Sequence, residues 1–158
     1  VEALLRHAYY DTLFLIERLH RHFLEVVKAD LDRQGIQDIN NVQALILYNI
    51  AQDEMTVGEL TARGYYLGSN VSYNVKKMFE NGYLEQERSP HDRRSVRVKL
   101  SEKGLALQKR MDAYFEKQIG VLGGAQITTD ELSKTNEFLK KVERFWSSLI
   151  NYGSVAGS

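Results

Sequence analysis

Between Asn70 and Lys77 the chain gathers Asn70, Ser72, Tyr73, Asn74, Lys76 and Lys77 within one helix length, with Ser69 just before. Hydroxyls and amides can read base edges, and ammonium groups can neutralise phosphates, so this inventory suits a nucleic-acid surface. Further along, Asp92, Arg93 and Arg94 follow Pro90, the only proline in the chain, where a turn must form. Guanidiniums at a hairpin tip can enter a narrow, electronegative groove, and Asp92 can brace one of them. Ser69, Asn70, Ser72, Tyr73, Asn74 and Lys76 are expected to face a major groove, Lys77 and Arg63 to touch phosphate, and Arg93 and Arg94 to reach the minor groove. The bland alternative is a helix and hairpin whose charges are merely solvated.

The elements needed to hold these groups are legible around them. Thr56 and Glu59 have the T-x-x-E spacing of a capping box, which starts a short helix from about Val57 to Arg63. Gly64 stops it, because glycine accepts a positive φ. Ser69 or Asn70 can cap a second helix whose apolar face is Val71, Val75, Met78 and Phe79, with Asn74 assigned to the polar face. Asn81-Gly82 ends it. From Leu84 onward the period changes to 2, and Val96, Val98 and Leu100 alternate with Arg97 and Lys99. Two strands are expected, joined by the arginine-bearing loop. Helix, turn, helix, strand, loop, strand is the order of a winged helix-turn-helix. The fold class expected is mainly α, with a two-stranded β wing.

The flanks read as long amphipathic helices. One runs from about Leu4 to Asp32 and is broken at Gly35; a second carries an Asn40/Gln43 capping box. After Ser101, a candidate N-cap, a helix reaches about Leu122. Thr128 or Thr129 caps the last, whose stripe includes Leu132, Phe138, Val142, Phe145 and Trp146. Tyr152 to Ser158 is Gly/Ser-rich and is expected to fray.

Other chemistries find less support. His20 and His22 lie two apart on a helix and point to different faces, so no metal chelate is expected. No P-loop, dinucleotide fingerprint or nucleophile elbow is present, so the chain reads as a non-enzyme without a cofactor. Cysteine is absent, which excludes disulfides and thiol-based oxidant sensing. The chain has 158 residues, 43% of them hydrophobic, enough for a proper core. It lacks a membrane-length apolar run or a signal-peptide pattern and is expected to be cytoplasmic. Its start at Val1 rather than Met reads as a trimmed or partly ordered chain. Net charge is zero, but Thr61 to Leu100 holds eight Lys/Arg against four Asp/Glu, leaving +4 there and −4 elsewhere. A positive head on an acidic body orients a protein toward DNA.

Three motifs carry a family resemblance: GYL at Gly82 to Leu84, HDRR at His91 to Arg94, and LSEKG at Leu100 to Gly104. With the capped helices before them, they resemble the MarR family of bacterial winged-helix repressors. The stretch GYYLGSNVSYNVKKM is similar to an alphaproteobacterial branch that includes LdtR-type regulators of cell-wall transpeptidase genes. The resemblance implies a homodimer, with residues 1–34 and 101–152 as dimerisation helices and 36–100 as the DNA-binding domain. It implies repression from a pseudo-palindromic double-stranded DNA operator, relieved by a small aromatic or phenolic effector. That effector would sit where the winged domain meets the bundle, near Arg18, His22, Tyr48 and Tyr114. Two alternatives stand beside this reading: a winged helix that binds protein, and an architectural DNA binder without operator choice.

Overall fold

The computed structural model describes residues 1–50, 55–62, 70–88 and 96–152, apart from the side chains of Val57 and Thr61. Along the chain run α1 (Glu2–Arg33), α2 (Asn41–Ile50), β1 (Met55–Thr56), α3 (Val57–Ala62), α4 (Val71–Glu80), β2 (Leu84–Arg88), β3 (Val96–Leu100), α5 (Glu102–Val121) and α6 (Thr129–Tyr152). Packing divides the chain into two compact units, Val1–Tyr114 and Phe115–Ser158, with the division inside α5.

Local chemistry sets the boundaries in the first unit. Gly35, at φ 70°, takes the chain out of α1 in a left-handed conformation. The Asn40 N–H donates to Gln43 Oε1 at 3.1 Å and the Gln43 N–H to Asn40 Oδ1 at 2.8 Å, a reciprocal box that starts α2. The same box opens α3: the Thr56 N–H donates to Glu59 Oε2 at 3.1 Å, and the Glu59 N–H to Thr56 Oγ1 at 3.1 Å. Asn70 starts α4 differently. It lies in the left-handed region at φ 63°, and its carbonyl accepts the first helical bond while its side chain caps nothing. The expected side-chain cap is therefore not supplied by Asn70, and Ser69 lies outside the described residues.

The sheet has three strands in the order β1-β3-β2, all antiparallel. Sequence periodicity supplies only β2 and β3, the two strands of the wing. The third strand is Met55–Thr56, paired as Met55 with Val98 and Thr56 with Arg97. Two residues are too short to show an alternation, yet Met55 is 2% exposed and fixes the base of the wing to the core. That core is built from Ile46 and Leu47 of α2, Leu60 of α3, Met78 of α4 and Val98 of β3. Val27 and Leu31 of α1 and Leu107 and Met111 of α5 join it. Asn41 Nδ2 also donates to the Leu24 carbonyl at 3.0 Å, tying α2 to α1.

The join between wing and α5 is close. The Ser101 hydroxyl donates to the Gly82 carbonyl at 2.6 Å and accepts the Gly104 N–H at 3.1 Å, so Ser101 is the N-cap expected. A β-carbon at Gly104 would overlap the Tyr83 carbonyl oxygen. Backbone cannot swing aside as a side chain can. Gly104→Ala should therefore destabilise the fold by about 1–3 kcal/mol, the usual range for overpacking. Denaturant unfolding checks this; a midpoint equal to that of the unaltered protein would contradict it.

In the second unit, the Thr128 N–H donates to Glu131 Oε2 at 3.1 Å and the Glu131 N–H to Thr128 Oγ1 at 3.2 Å, which starts α6. The turn before it places Gln126, not a glycine, at positive φ. α6 contains no buried residue. Phe138, Leu139, Phe145 and Ile150 are exposed along it.

Candidate nucleic-acid interface

Four residues of α4 face inward: Val71, Asn74, Val75 and Met78. Their spacing of three, four and seven is the buried stripe of a helix. It leaves Asn70, Ser72, Tyr73 and Lys76 exposed, Tyr73 at 60%. Lys77 is half-buried beside them. Its ammonium lies 3.3 Å from Glu80 Oε2 and 5.9 Å from the Tyr73 ring centre. The outward face therefore offers an amide, a hydroxyl, a phenol and an ammonium, with Lys77 partly engaged by Glu80.

Asn74 is a correction. Residue type alone places it on the outward face and in the major groove. It is 8% exposed, and its Oδ1 accepts a hydrogen bond from Gln43 Nε2 at 3.2 Å. A polar residue in a buried stripe must find a partner, and Gln43 supplies one while its own Oε1 caps α2. Asn74 thus locks α4 to the start of α2 and is withdrawn from the base-facing set.

A second fastening lies at the other end of α4 and was not foreseen. The Asp38 carboxylate accepts the Tyr83 hydroxyl at 2.5 Å on Oδ1 and pairs with the Lys103 ammonium on Oδ2. The Asp38 carbonyl accepts from Asn81 Nδ2 at 2.8 Å, and Lys103 also donates to the Asn81 carbonyl at 2.9 Å. The Lys103 ammonium lies 4.4 Å from the Tyr83 ring centre. Asn81 is the C-cap of α4, so one carboxylate on the α1–α2 connection organises the end of the candidate reading helix. Lys103 has a sequence signal as part of LSEKG, Tyr83 as part of GYL and Asn81 as a helix stop. A single aspartate in a loop carries none.

Burial pushes the Asp38 carboxyl up, but hydrogen bonds from Lys103 and Tyr83 and the Lys103 charge together hold it below the ordinary aspartate value. A depressed folded-state value stabilises the fold above the unfolded-state value and loses that contribution as pH falls through the folded one. Asp38→Asn should therefore shrink the loss of thermal stability below about pH 4. Superimposable acid limbs for the two proteins would contradict it. Burial, and next the bond to Asp38, push the Tyr83 phenol well above its ordinary value, so its contribution fades only in strong alkali.

The wing's strands pair in register from Leu84 with Leu100 to Arg88 with Val96. Glu87 and Lys99 pair diagonally across them at 3.7 Å, and Arg97 is exposed. Asp92, Arg93 and Arg94, like Arg63 and Ser69, lie outside the described residues.

A cleft of about 470 Å³ opens between the α1–α2 connection and α5, lined by Gly35 to Asp38, Tyr83, Lys103, Ala106, Leu107 and Arg110. None of Arg18, His22, Tyr48 or Tyr114 lines it. The Tyr48 hydroxyl donates to Asp112 Oδ1 at 2.5 Å, and the Arg33 guanidinium lies 5.2 Å from the Tyr114 ring centre. Arg18 and His22 are exposed on α1, with His22 Nδ1 2.9 Å from the Arg18 carbonyl oxygen.

An exposed polar helix face, held at both ends and followed by an antiparallel hairpin, defines a winged helix-turn-helix DNA-binding protein. Residues 39–104 match the family model for a winged helix DNA-binding domain. The chain is 32% identical over 145 residues to the exopolysaccharide II synthesis transcriptional activator ExpG of Rhizobium meliloti, covering 92% of this chain and 75% of that protein. It is similar in fold to Streptococcus pneumoniae FabT in complex with DNA, at TM-score 0.69 and 19% identity, over 89% of this chain and 99% of that one. It is similar also to Staphylococcus aureus MarR in complex with salicylate and kanamycin, at TM-score 0.70 and 21% identity, over 92% and 94% of the two chains. The chain belongs to the MarR family of winged-helix transcriptional regulators, proteins that are not enzymes.

Proposed function

We propose that this regulator binds a pseudo-palindromic operator as a homodimer in the cytoplasm and that a small organic ligand modulates the binding. The observation that carries the reading is the outward face of α4, where Asn70, Ser72, Tyr73 and Lys76 are exposed while Val71, Asn74, Val75 and Met78 are fixed inward. A reading helix needs both properties: free polar groups and a seat that does not yield. In this proposal Arg63 and Lys77 contact phosphate, Ser69 joins the base-facing set, and Arg93 and Arg94 enter the minor groove beside Asp92.

Homodimerisation is supported by the large apolar groups each unit leaves in solvent. Leu4, Leu5, Phe14 and Leu19 of α1 are exposed, as are Phe138, Phe145 and Ile150 of α6. Residues 1–34 and 101–152 are proposed as the dimerisation helices. Among the described residues no helix is long and apolar enough to cross a membrane. Repression or activation follows from where the operator lies relative to the promoter rather than from the fold. The family resemblance implies repression, while the similar ExpG is named as an activator.

A salt titration of DNA binding separates this reading from its rivals. Anisotropy with operator and scrambled duplexes should show steep salt dependence and a specific-to-nonspecific ratio of at least about 10³. Equal affinities for the two duplexes would make the protein architectural. Absence of DNA binding at low salt would leave a protein-interaction module.

A further inference from the structure

We propose that Gln43 and Asn74 are a positioning pair that sets the rotation of α4 about its own axis, and through it the choice of DNA sequence rather than the strength of DNA binding. The proposal rests on the operator-binding reading above and adds to that site two residues that touch no base.

The pair is buried where apolar contact would serve stability as well. Gln43 and Asn74 are 7% and 8% exposed. The rest of the inward face of α4 is Val71, Val75 and Met78. Apolar side chains in place of a buried polar pair are often neutral or stabilising. An apolar seat holds a helix at a given depth, but hydrophobic attraction has no direction, so such a seat lets the helix turn. A hydrogen bond has a preferred length and angle and resists the turn. In a buried, poorly solvated position it is also costly to leave unmade.

The anchor is itself held. Gln43 Oε1 accepts the Asn40 N–H at 3.1 Å, and the Gln43 N–H donates to Asn40 Oδ1 at 2.8 Å. With Oε1 fixed, the planar amide aims Nε2 in one direction, and there it donates to Asn74 Oδ1 at 3.2 Å. The neighbouring Asn41 donates through Nδ2 to the Leu24 carbonyl of α1 at 3.0 Å. A run of amide hydrogen bonds thus refers α4 to α2 and α2 to α1, one of the helices proposed for dimerisation. The Asn81 cap, held by Asp38 and Lys103, is a second fixed point about two turns further along.

Base contacts and phosphate contacts answer differently to slack in α4. Outward groups stand about 5–6 Å from a helix axis, so a turn of about 15° carries them about 1.5 Å. That is more than the whole spread of N–H···O hydrogen-bond lengths, about 2.7–3.2 Å. Short side chains aimed at base edges lose their partners. Lysines on flexible stems follow the phosphates. Loss of the pair therefore lowers affinity for the operator and spares affinity for any other duplex.

Anisotropy on operator and scrambled duplexes compares the unaltered protein with Gln43→Met/Asn74→Leu and with Val27→Ala, a truncation in the core part of α1. The pair variant should melt at least as high as Val27→Ala and bind the scrambled duplex like the unaltered protein. Its specific-to-nonspecific ratio should fall about 10- to 100-fold, as for one or two lost base contacts. Val27→Ala should keep the ratio. Asn74→Ala, which leaves Gln43 on Asn40, should lose it too and stands in if the double variant does not fold. A ratio that survives without the pair, an equal loss on both duplexes, or as large a fall in Val27→Ala would overturn the proposal. A melt below that of Val27→Ala would make the pair a device of stability and overturn it as well. Hydrogen exchange on the DNA-free protein reads the positioning separately. The α4 amides should exchange about 10-fold faster in the pair variant than in Val27→Ala; equal rates would overturn the proposal. If α4 loosens in this way but the unaltered protein does not discriminate between the duplexes, the positioning stands and the operator reading fails.

Discussion

Truncation before Thr128 should leave monomers, aggregates or unfolded chain in place of the proposed homodimer. α6 begins at Thr129 and has no buried residue, although Phe138, Leu139, Phe145 and Ile150 lie along it. Burying one such side chain is worth about 1.5–3 kcal/mol, so a helix that leaves several in water forgoes a large part of what could stabilise it. A second copy is the proposed cover, because closed two-fold pairing buries the same patch on both chains at once. Sedimentation of the protein ending at residue 127 provides the test. A soluble dimer with unchanged DNA affinity would show that the stripe serves something else.

Loss of the outward α4 groups should have the largest effect on DNA binding. Tyr73→Ala/Lys76→Ala is expected to cost about 1–3 kcal/mol for each base-directed contact removed. Both residues are exposed, so the change leaves the core untouched. Arg93→Ala/Arg94→Ala should behave differently. It should weaken operator and scrambled duplexes together and flatten the salt dependence, because in the proposed reading those guanidiniums contribute mainly charge. Binding curves for both doubles on both duplexes decide the matter. If the α4 variant lost affinity equally on the two duplexes, Tyr73 and Lys76 would be phosphate contacts and not readers.

The helix starts were legible because each is a local event. Thr56 with Glu59, Asn40 with Gln43, Ser101 and Thr128 all cap as their spacing suggests, since the partners lie within one turn. The wing's strands were legible because Val98 and Leu100 alternate with charged residues. β1 was not, because two residues carry no period. For Asn74, position outweighs residue type. Val71, Asn74, Val75 and Met78 form one stripe, and strict helical spacing would have put the amide inward. Asp38 could not be read at all. Its partners Asn81, Tyr83 and Lys103 lie 43 to 65 residues away in sequence, so only the folded chain brings them together.

The roles assigned to the two ends of α4 follow from that pattern. Gln43 and Asn74 hold the helix from below, and Asp38 with Lys103 holds its C-terminal cap. What remains outward is polar and cationic, the inventory that contact with bases and phosphates calls for.

In-vitro selection of bound duplexes from a random pool tests the central claim most directly, run side by side with the unaltered protein and with Tyr73→Ala/Lys76→Ala. The account predicts one enriched two-fold-symmetric site, its half-sites about one helical turn apart, roughly 10–10.5 bp centre to centre, and loss of that enrichment in the variant. A pool that stays random with the unaltered protein, or a site that the variant enriches equally well, would contradict it.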